Sequence, residues 1–160
     1  MDEALLIGAH DRERLIAQYD DGHRAVLDAL GGASDVGLDR RPGDDEWSTR
    51  EVVHHLADSE MTSALRLRRL LAEDAPVIAA YDEAEFARRL HYDTRPIEPS
   101  LDALAAARRT TSDILRRLSD DDWSRAGTHT ESGPYSVDDW LEIYASHAHD
   151  HAEQIRRALA

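Results

Sequence analysis

The stretch Tyr144-Ala-Ser-His-Ala-His-Asp-His-Ala-Glu-Gln-Ile155 says most about the fold, because it combines helical periodicity with two histidines four residues apart. At that spacing His147 and His151 lie about one turn apart on one helix face. Their ring nitrogens can then bind one metal ion together. The spacing alone is equally compatible with two hydrogen-bonded core histidines, so both interpretations stay open at this point.

The two histidines continue the apolar face of a predicted C-terminal helix. Ser136, followed three residues later by Asp139, is a typical helix start in which the serine side chain caps the first turn. Residues at helical spacing then form an inward face: Val137, Trp140, Tyr144, His147, His151 and Ile155. We therefore expect both histidines to face neighbouring helices and not bulk water.

A second helix, predicted from Ser48 to about Ala72, supplies a third histidine. Ser48 and Glu51 have the S-x-x-E pattern of a capping box. The inward face consists of Val52, His55, Leu56, Ser59, Ser63, Leu67 and Leu70. His54 lies about 100° from His55 around the helix and off this face, so His55 is the better candidate ligand.

Two more helices complete the prediction. One runs from about Ala9 to Leu30 and stops at Gly31-Gly32. Its apolar side carries Leu15, Ile16, Tyr19, Val26, Leu27 and Leu30. The other follows Pro99-Ser100 and ends at the acidic run around Asp120. Its face carries Leu101, Leu104, Ala105, Arg108, Ser112, Leu115 and Leu118.

These four amphipathic helices predict an all-α four-helix bundle, organised as a single domain over residues 1–160. No segment has the alternating β-branched pattern of a strand. The connection Glu73–Pro99 is a long crossover, in which Tyr81–Leu90 has the pattern of a short extra helix. Connections of this length in compact domains are often functional.

Composition narrows the partners and the available chemistry. Lys and Arg total 19 and Asp and Glu total 33, and the formal charge of -14 argues against nucleic acid and anionic membrane surfaces as partners. The chain has no cysteine, so its strong ligands are imidazole and carboxylate. The N-terminus lacks the pattern of a signal peptide, and no segment approaches the ~20 apolar residues of a membrane span. We therefore expect a cytoplasmic protein with a small-molecule substrate.

Three imidazoles around one divalent ion leave positions open for water or substrate, which is typical of a catalytic site. Asp58, one turn beyond His55, is a candidate to orient an imidazole or to act as a base. His149 lies about 200° around the helix from His147, so we expect it to face solvent or a dimer partner. His10, His23, His91 and His129 are isolated and are expected to be exposed or hydrogen-bonded.

At this point the sequence resembles a known family, the DinB-like superfamily of metal-dependent four-helix bundles, and most closely its YfiT-like branch. Residues 47–59, Trp-Ser-Thr-Arg-Glu-Val-Val-His-His-Leu-Ala-Asp-Ser, resemble that branch's W-[ST]-x-R-x-V-V-H-H-x-A-D-S signature. Residues 71–83 resemble the segment that follows its second helix, and residues 144–151 match its Y-A-x-H-x-x-x-H element. One departure is the ending His-Ala-His-Asp-His, where the branch often has adjacent histidines.

The resemblance implies a zinc or nickel site formed by His55, His147 and His151, and a homodimer. It also implies one of two activities: a metal-dependent hydrolase that activates water, or an S-transferase that activates a low-molecular-weight thiol such as bacillithiol or mycothiol. The sequence does not decide between them. The alternative from another class is a non-catalytic, stress-related binding protein whose metal site is structural or vestigial.

Overall fold

The computed structural model describes residues 7–160. Residues 1–6 lie outside the described residues, and with them most of the N-terminal segment that lacks the signal-peptide pattern. Secondary structure follows this order along the described chain: α1 Ala9–Leu30, α2 Asp35–Asp39, α3 Thr49–Ala72, β1 Val77–Ile78, α4 Glu83–Arg89, α5 Glu98–Leu115, α6 Asp120–Trp123, β2 Ala126–His129, β3 Gly133–Ser136 and α7 Val137–Leu159. The four long helices α1, α3, α5 and α7 form the predicted bundle. No helix within residues 7–160 has the length and apolarity needed to cross a membrane.

The ends of the long helices follow the local signals in the sequence. Ser48 and Ser136 each form a complete capping box with the acidic residue three positions later. Gly31 ends α1 in the left-handed conformation, at φ 53°, and donates its N–H to the Leu27 carbonyl. Helix α5 starts at Glu98, earlier than predicted, because Pro99 fits the first turn of a helix; it ends at Leu115, before the acidic run.

The predicted absence of strands was wrong. A three-stranded sheet joins the start of the crossover, β1, to the hairpin formed by β2 and β3. Strand β1 pairs in parallel with β2, and β2 pairs antiparallel with β3. A Cβ on Gly127 would lie 2.3 Å from the Pro76 carbonyl oxygen, so only glycine allows β1 and β2 to approach this closely. The strands are two to four residues long, which is too short to produce an alternating pattern.

The sheet holds the start of the crossover in place. Thr130 pairs with this segment twice: its N–H donates to the Ile78 carbonyl, and its hydroxyl accepts from the Ala80 N–H. Arg125 donates from the other side to the carbonyl oxygens of Leu70 and Glu73. The chain immediately after Ala80 therefore leaves the sheet in a defined direction, toward the face of α3 that carries His55.

Helix α1 packs mainly against α5 and α7, and α3 packs mainly against the same two helices. The first and second long helices are therefore diagonal neighbours. The inward residues predicted for α3 are all buried. Leu27 of α1 is an exception to the predicted faces, because it is 43% exposed, on the side of α1 that points away from both neighbouring helices.

A buried ion pair joins all four long helices at the centre of the bundle. Arg108 of α5 donates from Nε to Oε2 of Glu60 at 3.0 Å, and the two side chains are 3% and 0% exposed. The same guanidinium donates to the backbone carbonyls of Tyr19 in α1 and Tyr144 in α7. The Tyr19 hydroxyl donates to the other Glu60 oxygen. Both charges are thus paired and hydrogen-bonded, the condition under which buried charges are tolerated.

Gly22 makes room for this ion pair. A Cβ at that position of α1 would lie 2.4 Å from Nη1 of Arg108 and 2.9 Å from the Cβ of Ala148. Distances this short require the helices to move apart. The absence of a side chain at Gly22 therefore sets how closely α1 approaches α5 and α7.

We predict that Gly22→Ala lowers the free energy of unfolding by about 1–3 kcal/mol, because overpacking displaces Arg108 from Glu60. The matched control is Gly37→Ala in the short helix α2, where a Cβ would meet nothing closer than 3.6 Å. That variant should be unchanged or stabilised by up to about 1 kcal/mol. Urea denaturation measures both; equal effects of the two substitutions would contradict the assigned role of Gly22.

Candidate metal centre

Three histidines from two helices meet on the inner surface of the bundle. His55 comes from α3, and His147 and His151 come from successive turns of α7. One ring nitrogen from each lies within 4.8 Å of the others. The ring centroids are 5.5 Å apart for His55 and His147, 4.9 Å for His55 and His151, and 4.6 Å for the pair on α7. The structure thus brings together the three histidines singled out in the sequence.

The spacing fits a divalent ion. Three nitrogens at most 4.8 Å apart lie within about 2.8 Å of a common centre, and a zinc–imidazole bond is about 2.0–2.1 Å long. Closing that gap needs shifts of well under ~1 Å for each ring, which side-chain rotation supplies. The donor set of three imidazoles suits zinc, nickel and similar borderline ions.

The hydrogen bonds around the rings leave nitrogens free for an ion. Nδ1 of His147 is buried and has no hydrogen-bond partner within residues 7–160. Nδ1 of His151 lies 2.7 Å from the amide oxygen of Gln154, one turn further along α7. Because an amide oxygen only accepts, Nδ1 of His151 carries the proton and Nε2 keeps its lone pair. Gln154 thus orients this ring as partners of metal-binding histidines do.

The electrostatic environment keeps two of the rings neutral. Burial, together with the nearby His151, lowers the pKa of His55 to about 4. Burial lowers the pKa of His147 to about 3, helped by His151, His55 and the guanidinium of Arg108. Both rings are therefore unprotonated at neutral pH, as metal binding requires.

His54 and His149 do not join the cluster. His54 is 1% exposed and not directed away from the core: Nε2 donates to the Arg95 carbonyl at 3.0 Å, and Nδ1 lies 2.7 Å from the Ser100 hydroxyl. His149 is partly exposed, and its Nε2 donates to the Gln18 carbonyl of α1 at 2.8 Å. In each case, hydrogen bonds to a neighbouring segment use the ring nitrogens.

Asp58 binds a residue of the crossover. Its carboxylate accepts a hydrogen bond from the Tyr92 hydroxyl through Oδ2, which leaves Oδ1 able to accept a proton. Tyr92 packs edge-on against Trp47 at 6.4 Å, and Trp47 packs against His55 at 5.0 Å. Tyr92 therefore fixes the orientation of Asp58, which lies one turn beyond His55 on α3, and the role of Asp58 as a base stays a prediction.

A cavity of about 260 Å³ opens beside His147. Its wall is formed by side chains from α3, α7, the crossover and the hairpin: Ser59, Arg66, Tyr81, His129, Tyr144 and His147. Tyr144 packs edge-on against the His147 ring at 5.7 Å. A molecule in this cavity would lie next to the metal centre, and the volume suits a small ligand.

Sequence reasoning missed several residues of this site. Gln154 is recognisable only as a polar residue one turn after His151, a pattern common on exposed helix faces. Tyr81 and Tyr92 lie in the crossover, where no periodicity assigns a direction to a side chain. Their positions depend on the sheet and on the Asp58 contact, neither of which the sequence predicted.

A four-helix bundle that brings imidazoles from facing helices around an open centre defines a class of bundle metalloproteins. The sequence profile of the DinB superfamily matches residues 18–155. The chain therefore belongs to the DinB superfamily, as its sequence motifs predicted.

Relatives with known names support this assignment. A protein of Oceanobacillus iheyensis named "Putative metal-dependent hydrolase OB0782" is 41% identical over 109 residues, 68% of this chain and 63% of its own length. YfiT of Bacillus subtilis, named in the same way, is 29% identical over 150 residues, 93% of this chain and 84% of its own length. The solved structure of YfiT, described as having an unusual four-helix bundle topology, matches with a TM-score of 0.91 at 27% identity, covering 99% of this chain and 91% of that one.

We predict that His55→Ala, His147→Ala and His151→Ala each abolish stoichiometric binding of Zn²⁺, because two imidazoles hold the ion far less tightly than three. The control is His149→Ala on the same helix, which should keep about one equivalent per chain. Metal analysis after dialysis measures binding, and circular dichroism checks that helicity is retained. Loss of binding in His54→Ala with retention in His55→Ala would contradict the assigned ligands.

The lowered pKa values predict how the metal-free protein responds to acid. Below pH 6.5 the unfolded chain protonates these rings, while the folded chain resists until pH 4 for His55 and pH 3 for His147. The free energy of unfolding should therefore fall as the pH drops from 7 to 5, by about 1 kcal/mol or more per unit at the lower end. Urea denaturation of a His55→Gln, His147→Gln double variant should show a clearly weaker dependence; an unchanged dependence would contradict the burial of the neutral rings.

Proposed function

We propose that this protein is a metal-dependent hydrolase of small molecules, with zinc or nickel held by His55, His147 and His151. The observation that carries the proposal is the convergence of three imidazoles beside a cavity large enough for a small substrate. A purely structural ion is commonly enclosed by four protein ligands, whereas three histidines leave coordination positions open. The names of the relatives support the same activity.

A divalent ion in this centre supplies two chemical effects: it lowers the pKa of water and polarises a carbonyl group. The protein's own residues supply orientation and proton transfer. Gln154 fixes the His151 ring, and Trp47 packs against the His55 ring. We propose that Asp58 takes a proton during the reaction, because it lies one turn beyond His55 on α3, Tyr92 fixes its carboxylate, and one carboxylate oxygen stays free.

Hydrolysis of an ester or amide breaks the bond between the acyl carbon and its leaving group and forms a bond between that carbon and a water oxygen. One proton of the water must reach the leaving group. In the proposed reaction Asp58 accepts the first proton, and the cavity beside His147 binds the substrate. The products are a carboxylic acid and an alcohol or amine.

Transfer of a low-molecular-weight thiol is the second candidate activity. The chain has no cysteine, so a sulfur nucleophile has to come from outside, and the cavity offers Arg66 to an anionic thiol. Bacillithiol and mycothiol are the thiols proposed for this second activity. The homodimer, the cytoplasmic location, the single-domain organisation and the lack of nucleic-acid partners also stay proposals, and sedimentation tests the first of them.

We expect the zinc- or nickel-loaded protein to hydrolyse members of a panel of small esters and amides without added thiol. His147→Ala should reduce the rate to background, and Asp58→Asn should lower kcat by about 10²-fold or more, because a positioned base contributes that much. Activity that appears only with bacillithiol or mycothiol and an electrophile would replace the hydrolase with the transferase. No turnover under either condition would favour a binding protein.

A further inference from the structure

The cavity beside His147 contains a cation, Arg66, whose hydrogen bonds within residues 7–160 go to neutral oxygens, although Glu83 and Glu131 also line the cavity. Arg66 of α3 donates from Nη1 to the Tyr144 hydroxyl at 3.3 Å and from Nη2 to the Ala79 carbonyl at 2.8 Å. Both partners are neutral oxygens.

Arg66 is held in position before any ligand binds. Its two hydrogen bonds attach it to α7 and to the crossover, and its guanidinium carbon lies 6.0 Å from the centre of the Tyr81 ring. A guanidinium has five N–H donors, and these bonds use two of them. Because the side chain is already ordered, a ligand loses little affinity to its ordering.

Tyr81 lines the same cavity as Arg66. Its hydroxyl is buried and has no hydrogen-bond partner among the described residues. A buried hydroxyl without a partner costs free energy, which a ligand's acceptor oxygen would recover. The sheet fixes the chain up to Ala80, so the position of Tyr81 is set by the fold.

We propose that Arg66 and Tyr81 bind a carboxylate group of the substrate, which places the adjoining part of that molecule at the metal centre beside His147. The proposal deepens the hydrolase function and rests on it. A planar carboxylate matches the planar guanidinium, and a neutral hydroxyl donor completes its hydrogen bonding.

The charges around the cavity favour a carboxylate over a phosphate. Glu83 and Glu131 line the same cavity as Arg66. Two carboxylates oppose a dianion more strongly than a monoanion, so a single carboxylate that pairs directly with Arg66 is better tolerated than a phosphate dianion. The two acids also favour a substrate that carries a neutral or positively charged group beside its carboxylate. The substrate class is therefore a small carboxylic acid with a hydrolysable bond near its carboxylate.

The test compares N-acetylglycine with N-acetylglycinamide, which lacks only the carboxylate charge, using saturation-transfer NMR on metal-loaded and metal-free protein. We expect the wild-type protein to bind N-acetylglycine about tenfold or more tighter than the amide, with and without metal, since the preference comes from Arg66 and not from the ion. Inorganic phosphate should not compete. A preference seen only with metal bound, or effective competition by phosphate, would overturn the proposal.

Variants identify the residues. Arg66→Gln should lose the preference for the acid, while Arg69→Gln should keep it, because Arg69 pairs with Glu73 one turn away and does not line the cavity. Tyr81→Phe should weaken the acid severalfold without lowering the melting temperature, since its hydroxyl has no partner to lose. Unchanged preference in both Arg66→Gln and Tyr81→Phe would contradict the assignment.

Failure of the proposal can be distinguished from failure of the hydrolase. If neutral and carboxylate-bearing esters are hydrolysed with the same kcat/KM by wild type and Arg66→Gln, the carboxylate subsite is refuted and the hydrolase stands. If the wild-type protein prefers N-acetylglycine both with and without metal but hydrolyses no ester or amide, the subsite stands and the hydrolase is refuted.

Discussion

The buried pairing of Arg108 with Glu60 is the contact on which the rest of the bundle depends. It connects α5 to α3 directly, and through backbone carbonyls of Tyr19 and Tyr144 it reaches α1 and α7. Removing one partner of such a pair costs about 3–5 kcal/mol, because the other charge stays buried alone. The Tyr144 carbonyl lies one turn before His147, so the same contact sets the depth at which α7 presents its histidines. The Arg108 charge also lowers the pKa of His147.

Function follows from how the crossover covers the metal centre. The three-stranded sheet holds residues 77–80, and the chain beyond them places Tyr81 and Tyr92 next to α3. The bundle supplies the histidines and half of the cavity lining, including Arg66, and the crossover adds Ala80, Tyr81 and Glu83. Metal binding is therefore set by helix packing alone, whereas the cavity beside it also depends on a connection that can vary without disturbing the core.

The sequence predicted the parts of the structure that follow helical periodicity. The bounds of α1, α3 and α7 and the inward placement of His55, His147 and His151 follow from the 3.6-residue repeat and the local capping signals. That the three histidines meet was implied by the resemblance to the DinB-like family. Contacts between segments distant in sequence were not predictable in this way. His54 is buried because Ser100 and Arg95 supply hydrogen bonds from another segment, and β1 exists only because β2 pairs with it. The position of Tyr81 depends on the sheet in the same way, whereas Gln154 was missed because it contacts His151 within one helix turn and looks like an ordinary exposed polar residue.

The central claim is that three histidines from two helices bind one metal ion in an open site. X-ray absorption spectroscopy at the edge of the metal in the purified, metal-loaded protein tests it most directly, because imidazole ligands give a characteristic multiple-scattering pattern. The account predicts about one ion per chain, with three imidazoles at about 2.0–2.1 Å for zinc and oxygen ligands in the remaining positions. An ion bound mainly by carboxylates, or by fewer than three imidazoles, would contradict it.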